Sequence, residues 1–261
     1  MKQTAATSFT TRKLVVTAVL GALTIVLSVT PIGGYIPVGP TMATILHVPV
    51  IIAAILEGPL VGGLVGLIFG GFSCGRAWVA PMVPTDYFFR NPLVSIVPRV
   101  LIGIVAYFVY VGLKKLPKGA AIATLSLLWA LMAYYITQSL ITAIQIMQTE
   151  GGQLAAIIGN SILLVAIIAL AYITLVRFKG KPIELVASAA LGSMTNTVLV
   201  LLGIFIFYGA RFAEAVGGDP AQAGRLIMGV GVTNGIPEII IAIVLTTAVV
   251  MGVSAAQKRQ A

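Results

Sequence analysis

Arg99 and Glu238 are charged residues that lie inside long apolar runs of this sequence. Arg99 lies about eight residues, or ~12 Å of helix, from the beginning of its run. An unpaired guanidinium at that depth is energetically expensive, so it needs a partner or a hydrated cavity. Two interpretations stay open: a structural ion pair with Glu238, or an anchor for an anionic substrate.

The residues around Arg99 predict a helix that is opened locally. Asn91 and Pro92 are typical of the N-cap and the first helical position. Pro98 has no N–H to donate to the carbonyl one turn earlier, so that carbonyl is left for another donor. We therefore expect the helix to open next to the buried cation.

Other polar residues lie in or beside apolar runs. Asn234 and Pro237 predict a helix start whose free N–H groups face a negative or carbonyl group, although ordinary capping explains the same pattern. His47 is either a packed core residue or a ligand-binding residue. A polar cluster either ties helices together or lines a cavity; its members are Ser193, Thr195, Asn196 and Thr197.

The sequence lacks the residue sets that several kinds of chemistry require. Its single cysteine, Cys74, excludes a disulfide framework and a cysteine-based metal site, and its single histidine excludes a histidine pair. It contains no G-x4-G-K-[ST], H-E-x-x-H or G-x-S-x-G motif. We therefore expect a protein that is not an enzyme, does not hydrolyse nucleotide itself and needs no metal or other cofactor.

The composition is that of an all-α polytopic membrane protein. Of 261 residues, 59% are hydrophobic and 9% are charged, against about 25% charged in soluble domains. A soluble fold of this length cannot bury so much apolar surface. The net charge is +9, but the basic residues flank the apolar runs, where they orient a chain in a membrane. Nucleic acid is therefore not an expected partner.

Apolar segments define the expected membrane elements. The first is interpreted as a true span and not a signal peptide, because no A-x-A-like cleavage site follows it. Glu57-Gly58-Pro59 separates the short second and third segments and predicts a tight helical hairpin, since Pro59 cannot continue a helix. The eight segments are 14–30, 41–56, 59–73, 92–113, 120–147, 153–176, 185–208 and 234–254.

The basic residues predict eight crossings with both termini in the cytoplasm, because cytoplasmic loops carry an excess of Lys and Arg. In this arrangement the outer connections 30–40, 73–91 and 209–233 are longer than the inner ones, which favours capture of a molecule from outside. The inner set of basic residues is Lys2, Arg12, Lys13, Lys114, Lys115, Lys118, Arg177, Lys179, Lys181, Lys258 and Arg259, and the outer set is Arg76, Arg90, Arg211 and Arg225.

Small residues at helical spacing predict close helix contacts. Glycines recur every four residues from Gly58 to Gly70, which is typical of internal helix packing. In the first segment Ala18, Gly21 and Ala22 either pack internally or form a smooth docking face for another membrane subunit.

Six short motifs in order make the sequence resemble the S components of energy-coupling factor (ECF) vitamin transporters. The likeness is to the group that contains pantothenate, folate and riboflavin binders. The motifs are Gly-Pro-x-x-Gly (58–62), Gly-Leu-Ile-Phe-Gly (66–70), Asn-Pro-Leu-Val-Ser (91–95), Pro-Arg-Val-Leu-Ile-Gly (98–103), Leu-Gly-Ser-Met-Thr-Asn-Thr (191–197) and Thr-Asn-Gly-Ile-Pro-Glu (233–238).

The resemblance implies a six-helix substrate-binding subunit in a prokaryotic cell membrane. Its partners would be a membrane scaffold subunit and two ATPase subunits, with residues 18–22 facing the scaffold. Residues 117–181 depart from the family pattern as an inserted two-helix hairpin. The expected organisation is therefore S-component helices one to four in 1–116, the hairpin in 117–181, and helices five and six in 182–261.

The expected function is uptake of a vitamin that carries a carboxylate, with pantothenate as first choice, since residues 45–52 are similar to pantothenate binders. Folate and riboflavin need a flat aromatic slot, and few aromatic residues are expected at the site. Another vitamin or a cobalamin-related compound, or a stand-alone secondary transporter, are the alternatives. The expected substrate-binding residues are Arg99, Asn234, Glu238, Asn196, Thr195, His47, Asn91, Tyr35 and Gly34.

Overall fold

The computed structural model describes residues 10–30, 33–38, 41–149, 154–177 and 183–260. Within these ranges the chain is an all-α polytopic membrane bundle with one small β-hairpin. Seven helical segments are long and apolar enough to cross a membrane; they are Thr11–Val29, Pro59–Val79, Pro92–Lys115, Lys118–Gln148, Ala156–Val176, Ile183–Ala215 and Pro220–Arg259.

The elements follow one another along the chain with short connections. Short 3-10 helices lie at Pro84–Arg90 and Pro220–Gln222, and a π-helical turn follows α7 at Ile173–Arg177. In chain order the helices and strands are α1 (Thr11–Val29), β1 (Tyr35–Val38), β2 (Thr41–Thr44), α2 (Val48–Glu57), α3 (Pro59–Val79), α4 (Pro92–Ser95), α5 (Val97–Lys115), α6 (Lys118–Thr149), α7 (Leu154–Tyr172), α8 (Ile183–Ala215) and α9 (Ala223–Gln260).

Helices α2 and α3 form the predicted helical hairpin. Glu57 ends α2, Gly58 has a φ of 101°, and Pro59 begins α3. That φ lies in the region that glycine adopts easily, so the chain reverses within one residue. Nearly all side chains of α2 are buried, which makes this short helix the centre of the bundle.

The predicted range of the second apolar segment, 41–56, suggests one helix. The structure instead has a strand followed by a helix in this range. Residues Thr41–Thr44 form strand β2, which pairs antiparallel with β1 so that Tyr35 lies opposite Thr44. The helix begins only at Val48. The long first outer connection therefore contains a β-hairpin that leads into the buried helix.

Glycines on α3 allow α5 to approach its backbone, as the spacing predicts. A Cβ at Gly70 would lie 2.6 Å from the Cα of Ile96, and a Cβ at Gly66 would overlap the carbonyl group of Arg99. Gly62 and Gly103 face each other in the same interface. This contact fixes the depth of Arg99 relative to α3.

We expect Gly66→Ala to destabilise the protein by about 2 kcal/mol, because the added methyl group overpacks a backbone contact. Gly71→Ala is the matched control, since a Cβ at Gly71 meets no atom within 4 Å. The measurement is thermal unfolding of both purified variants in detergent. Equal melting temperatures for the two variants would contradict this account of the α3–α5 contact.

Helices α8 and α9 are longer than the predicted segments at the ends that face each other along the chain. The predicted outer connection 209–233 is reduced to the residues between Ala215 and Ala223. Tyr208 has non-helical angles and marks a kink inside α8. Asn234 and Pro237 lie inside α9, so the prediction of a helix start at Asn234 is wrong.

Candidate binding cavity

A cavity of about 120 Å³ lies among α3, α5, α8, α9 and the β-hairpin. Eleven of its lining residues are polar, and apolar side chains such as Val200, Leu201 and Val230 form the rest of the wall. The polar lining residues are Tyr35, Thr44, Ser73, Arg76, Thr85, Asp86, Arg99, Asn196, Thr197, Asn234 and Glu238. A polar cavity inside an apolar bundle is the place where a water-soluble ligand can be held.

Arg99 is fixed at this cavity by its own helix and by two aromatic rings. Its Nη1 donates to the carbonyl of Val94 at 2.7 Å, the carbonyl that Pro98 leaves without a helical donor. Its guanidinium carbon lies 5.2 Å from the ring centre of Phe69 and 4.8 Å from that of Phe89. The residue is 4% exposed, and its Nε is buried without a hydrogen-bond partner. One carbonyl group and two aromatic rings thus position the guanidinium, and its Nε–H has no acceptor among the described residues.

Glu238 lines the same cavity but forms no ion pair with Arg99 among the described residues. Its Oε1 accepts from the backbone N–H of Thr44 at 2.7 Å, and its Oε2 accepts from the hydroxyl of Thr197 at 2.8 Å. These bonds connect α9 to β2 and to α8. The interpretation of Arg99 and Glu238 as a direct structural pair is therefore wrong.

A second arginine, which the sequence places in an outer loop, belongs to the cavity wall. Arg76 lies in the last turn of α3, with its Nη1 3.3 Å from Oδ2 of Asp86. Its guanidinium carbon is 5.2 Å from the ring centre of Tyr35. Burial raises the pKa of Tyr35 above its ordinary value, so this hydroxyl stays protonated at neutral pH.

The helical spacing of Phe69, Ser73 and Arg76 could have revealed this wall. These residues are separated by four and three positions, so they share one face of a helix. The predicted third segment ends at residue 73, six residues before the end of α3 at Val79, so the prediction leaves Arg76 outside the helix. Asp86 is bound by the backbone N–H of Met82 at 2.7 Å, a local turn contact that the sequence pattern does not predict.

Five of the nine predicted substrate-binding residues line the cavity. They are Arg99, Glu238, Asn234, Asn196 and Tyr35.

Thr195 and Asn91 do not line the cavity, because local contacts direct their side chains elsewhere. The Thr195 hydroxyl donates to the carbonyl of Leu191 at 2.7 Å. Asn91 is the predicted N-cap, accepting from the N–H of Leu93 at 3.0 Å, and its amide reaches the hydroxyl of Tyr208 at 3.4 Å. Asn91 therefore positions the start of α4.

Gly34 and His47 also lie off the cavity wall. Gly34 is buried, and a Cβ there would lie 2.6 Å from the carbonyl oxygen of Leu27, so its role is close packing of the β-hairpin against α1. His47 is completely buried at the start of α2, with neither ring nitrogen hydrogen-bonded.

The position of Asn234 within α9 removes one part of the predicted site. Helix α9 begins at Ala223, so no free N–H groups of a helix start are presented at Asn234. Pro237 still interrupts the hydrogen bonding of α9, because it cannot donate to the carbonyl of Thr233. Asn234 contributes its side chain to the cavity wall and not a helix end.

The expectation of few aromatic residues at the site is also wrong. Phe69, Phe89, Phe212 and Tyr35 all line the cavity. The rings of Phe69 and Phe89 lie against the guanidinium of Arg99. Those two rings therefore hold the cation instead of forming an open slot for a flat ligand.

The predicted docking residues on α1 divide between two faces. Ala18 and Ala22 are exposed, together with Leu14, Val15 and Val19. Gly21 is buried, and a Cβ there would lie 2.7 Å from a methyl carbon of Ile68. Gly21 therefore packs against α3, and the exposed face is formed by Ala18, Ala22 and their apolar neighbours.

The segment 117–181 packs beside the cavity. None of its described residues lines the cavity. Its helix α6 faces α8 and α9 across a separate apolar groove of about 550 Å³, which shares Thr197 and Leu201 with the cavity wall.

Within the described ranges, no group of three His, Cys, Asp or Glu residues is arranged to hold a metal ion.

Comparison with known proteins identifies the family. Residues 12–159 match the family model described as "ECF transporter, substrate-specific component". The chain is 25% identical over 233 residues to the pantothenic acid transporter PanT of Lactococcus lactis subsp. cremoris, covering 84% of this chain and 81% of that protein. It is 33% identical over 99 residues to the pantothenate transporter PanT of Leuconostoc mesenteroides, covering 36% of this chain and 48% of that protein. The match to the family model spans more than half of the sequence, and the chain therefore belongs to the family of substrate-specific components of ECF transporters.

Proposed function

We propose that this chain is the substrate-binding membrane subunit of an ECF transporter that imports pantothenate. The two relatives above carry pantothenate in their names. The observation that carries the proposal is Arg99, a buried guanidinium that lines the cavity and has no carboxylate partner among the described residues. A carboxylate is the ligand group that satisfies such a cation best.

The other lining residues match the remaining groups of pantothenate. That molecule has a carboxylate at one end, an amide in the middle, and two hydroxyls beside a pair of methyl groups at the other end. Val200, Leu201 and Val230 supply an apolar surface for the methyl groups, and Asn196 and Asn234 supply polar side chains for the amide and hydroxyls.

Folate and riboflavin are less suitable occupants of the same cavity. Each has a flat fused ring that requires an open aromatic face for stacking. Three of the four aromatic rings in the described cavity wall lie against an arginine: those of Phe69 and Phe89 against Arg99, and that of Tyr35 against Arg76. We therefore rank these vitamins and cobalamin-related compounds below pantothenate.

Uptake is proposed to need a membrane scaffold subunit and two ATPase subunits. The sequence has no nucleotide-binding G-x4-G-K-[ST] motif, so ATP hydrolysis must come from a partner. The exposed face of α1 around Ala18 and Ala22 is the proposed contact with the scaffold, since small residues allow helices to approach closely. The alternative is a stand-alone secondary transporter. Uptake measured in liposomes with and without the partner subunits distinguishes the two functions.

We also propose eight crossings in a prokaryotic cell membrane, with both termini in the cytoplasm. Helix α2 has ten residues and is therefore ~15 Å long, about half of a ~30 Å hydrocarbon core. The β-hairpin that precedes it covers the remaining depth in this arrangement. Residues 117–181 form an inserted pair of crossings between a 1–116 part and a 182–261 part, peripheral to substrate binding.

A panel of vitamins tests the substrate directly. We expect pantothenate at saturating concentration to raise the melting temperature of the purified protein by several degrees, because a ligand that binds only the folded state stabilises it. Folate and riboflavin are expected to give no shift. Stabilisation by riboflavin or folate without any by pantothenate would overturn the assignment.

A further inference from the structure

The cavity keeps a buried cation and a buried carboxylate apart. Arg99 on α5 and Glu238 on α9 both line it, at 4% and 5% exposure, without forming an ion pair. Opposite charges in a low-dielectric interior attract strongly, so their separation requires that each is held by other contacts. The arrangement places a cationic group and an anionic group in the wall of one cavity.

Each charged group has its own set of tethers. Thr44 and Thr197 hold the two carboxylate oxygens of Glu238, and these donors come from β2 and α8. The carbonyl of Val94 and two aromatic rings hold Arg99. Each side chain is therefore held by contacts that do not involve the other.

Glu238 and Asn196 retain hydrogen-bond acceptors that the described contacts do not use. A carboxylate has about four lone-pair positions, of which the bonds from Thr44 and Thr197 use two. Asn196 precedes Thr197 on α8, and its Oδ1 is buried without a partner. Buried polar atoms are usually hydrogen-bonded, so these acceptors are suited to donors that a ligand brings. Hydroxyl groups are donors that carry no charge.

We propose that Arg99 binds the carboxylate of the substrate while Glu238 and Asn196 bind its hydroxyl end. This inference rests on the proposed function and extends it to the orientation of the substrate. The cavity then selects a molecule that is anionic at one end and carries neutral hydroxyls at the other. A molecule that is anionic at both ends is rejected, because its second anion meets the carboxylate of Glu238.

The second arginine of the wall does not change this selection. Arg76 is the other basic residue among the described lining residues, and its charge is balanced by Asp86 at 3.3 Å. A phosphate on the ligand is therefore expected to gain less from Arg76 than a carboxylate gains from Arg99, whose charge no described carboxylate offsets. Phosphorylated pantothenate is the natural probe, since it differs from pantothenate only by a phosphate ester on the terminal hydroxyl.

The test measures binding of three compounds to the purified wild-type protein by calorimetry. They are pantothenate, its 4′-phosphate ester, and 4′-deoxypantothenate, in which hydrogen replaces the terminal hydroxyl. We expect the phosphate ester to bind at least 100-fold more weakly than pantothenate and the deoxy compound at least tenfold more weakly. Equal affinity for all three compounds would overturn the proposed orientation, whereas absence of pantothenate binding would overturn the proposed function itself.

Variants then assign the selection to Glu238. Glu238→Gln removes the negative charge, so we expect the discrimination against the phosphate ester to fall at least tenfold.

Thr197→Val removes one hydrogen bond that holds Glu238 and is expected to weaken pantothenate binding about tenfold, with recovery in Thr197→Ser. Thr195→Val is the matched control, because its hydroxyl bonds Leu191 and lies off the cavity, and it is expected to bind like wild type. Unchanged discrimination in Glu238→Gln, or equal losses in Thr195→Val and Thr197→Val, would contradict the inference.

Discussion

Replacement of Arg99 by glutamine is expected to raise the dissociation constant for pantothenate at least 100-fold. Among the described lining residues, Arg99 is the buried cation that has no carboxylate within ion-pair distance. Truncating one partner of a buried, hydrogen-bonded charge pair costs ~2–5 kcal/mol, and about 3 kcal/mol corresponds to a factor of more than 100 in affinity. The measurement is calorimetry on the purified variant with pantothenate.

Arg90 provides a matched control for this experiment. Like Arg99, it donates to a backbone carbonyl, that of Ala77 at 2.9 Å, and lies against two aromatic rings, those of Trp78 and Tyr87. It does not line the cavity, so Arg90→Gln is expected to keep wild-type affinity. A folded Arg99→Gln protein that binds pantothenate as tightly as Arg90→Gln would refute the role of Arg99.

Replacement of Ala18 or Ala22 by tryptophan is expected to abolish ATP-dependent uptake while substrate binding stays intact. Both alanines lie on the exposed face of α1, and no residue of α1 lines the cavity. A large ring on this face prevents the close helix approach that small residues permit. Uptake is measured in liposomes that contain the variant together with the scaffold and ATPase subunits, and binding is measured on the purified variant.

Ala169→Trp is the control for bulk at a membrane-exposed position. Ala169 is an exposed alanine of α7 and lies outside the docking face proposed on α1. We expect this variant to transport like wild type. Normal uptake by both α1 variants, or full uptake by the wild-type chain in liposomes without any partner subunit, would reject the docking face and favour a stand-alone transporter.

The sequence predicts those parts of the site that depend on local chemistry. Pro98 must leave the carbonyl of Val94 without a helical donor, and a buried arginine must find a partner, so the local environment of Arg99 could be anticipated. The cap at Asn91 and the chain reversal at Gly58 follow from preferences of single residues. These features need no knowledge of which helices are neighbours.

Other features depend on contacts between distant segments and could not be predicted. The carboxylate of Glu238 is held by Thr44 and Thr197, which are 194 and 41 residues away in the sequence. Asn234 and Pro237 look like a helix start, but the apolar residues from Ala223 onward continue the helix through them, and packing overrides the local signal. The role of Arg76 in the cavity wall could not be predicted, because the apolar pattern ends the third segment at residue 73 whereas α3 continues to Val79.

The most direct experiment is calorimetric titration of the wild-type protein with pantothenate. We expect saturable binding of one pantothenate per chain, together with at least 100-fold weaker binding of pantothenol, in which an alcohol replaces the carboxylate that Arg99 is proposed to bind. The absence of pantothenate binding by a folded protein, or equal affinity for pantothenate and pantothenol, would show that this protein is not a pantothenate-binding subunit that recognises the carboxylate through Arg99.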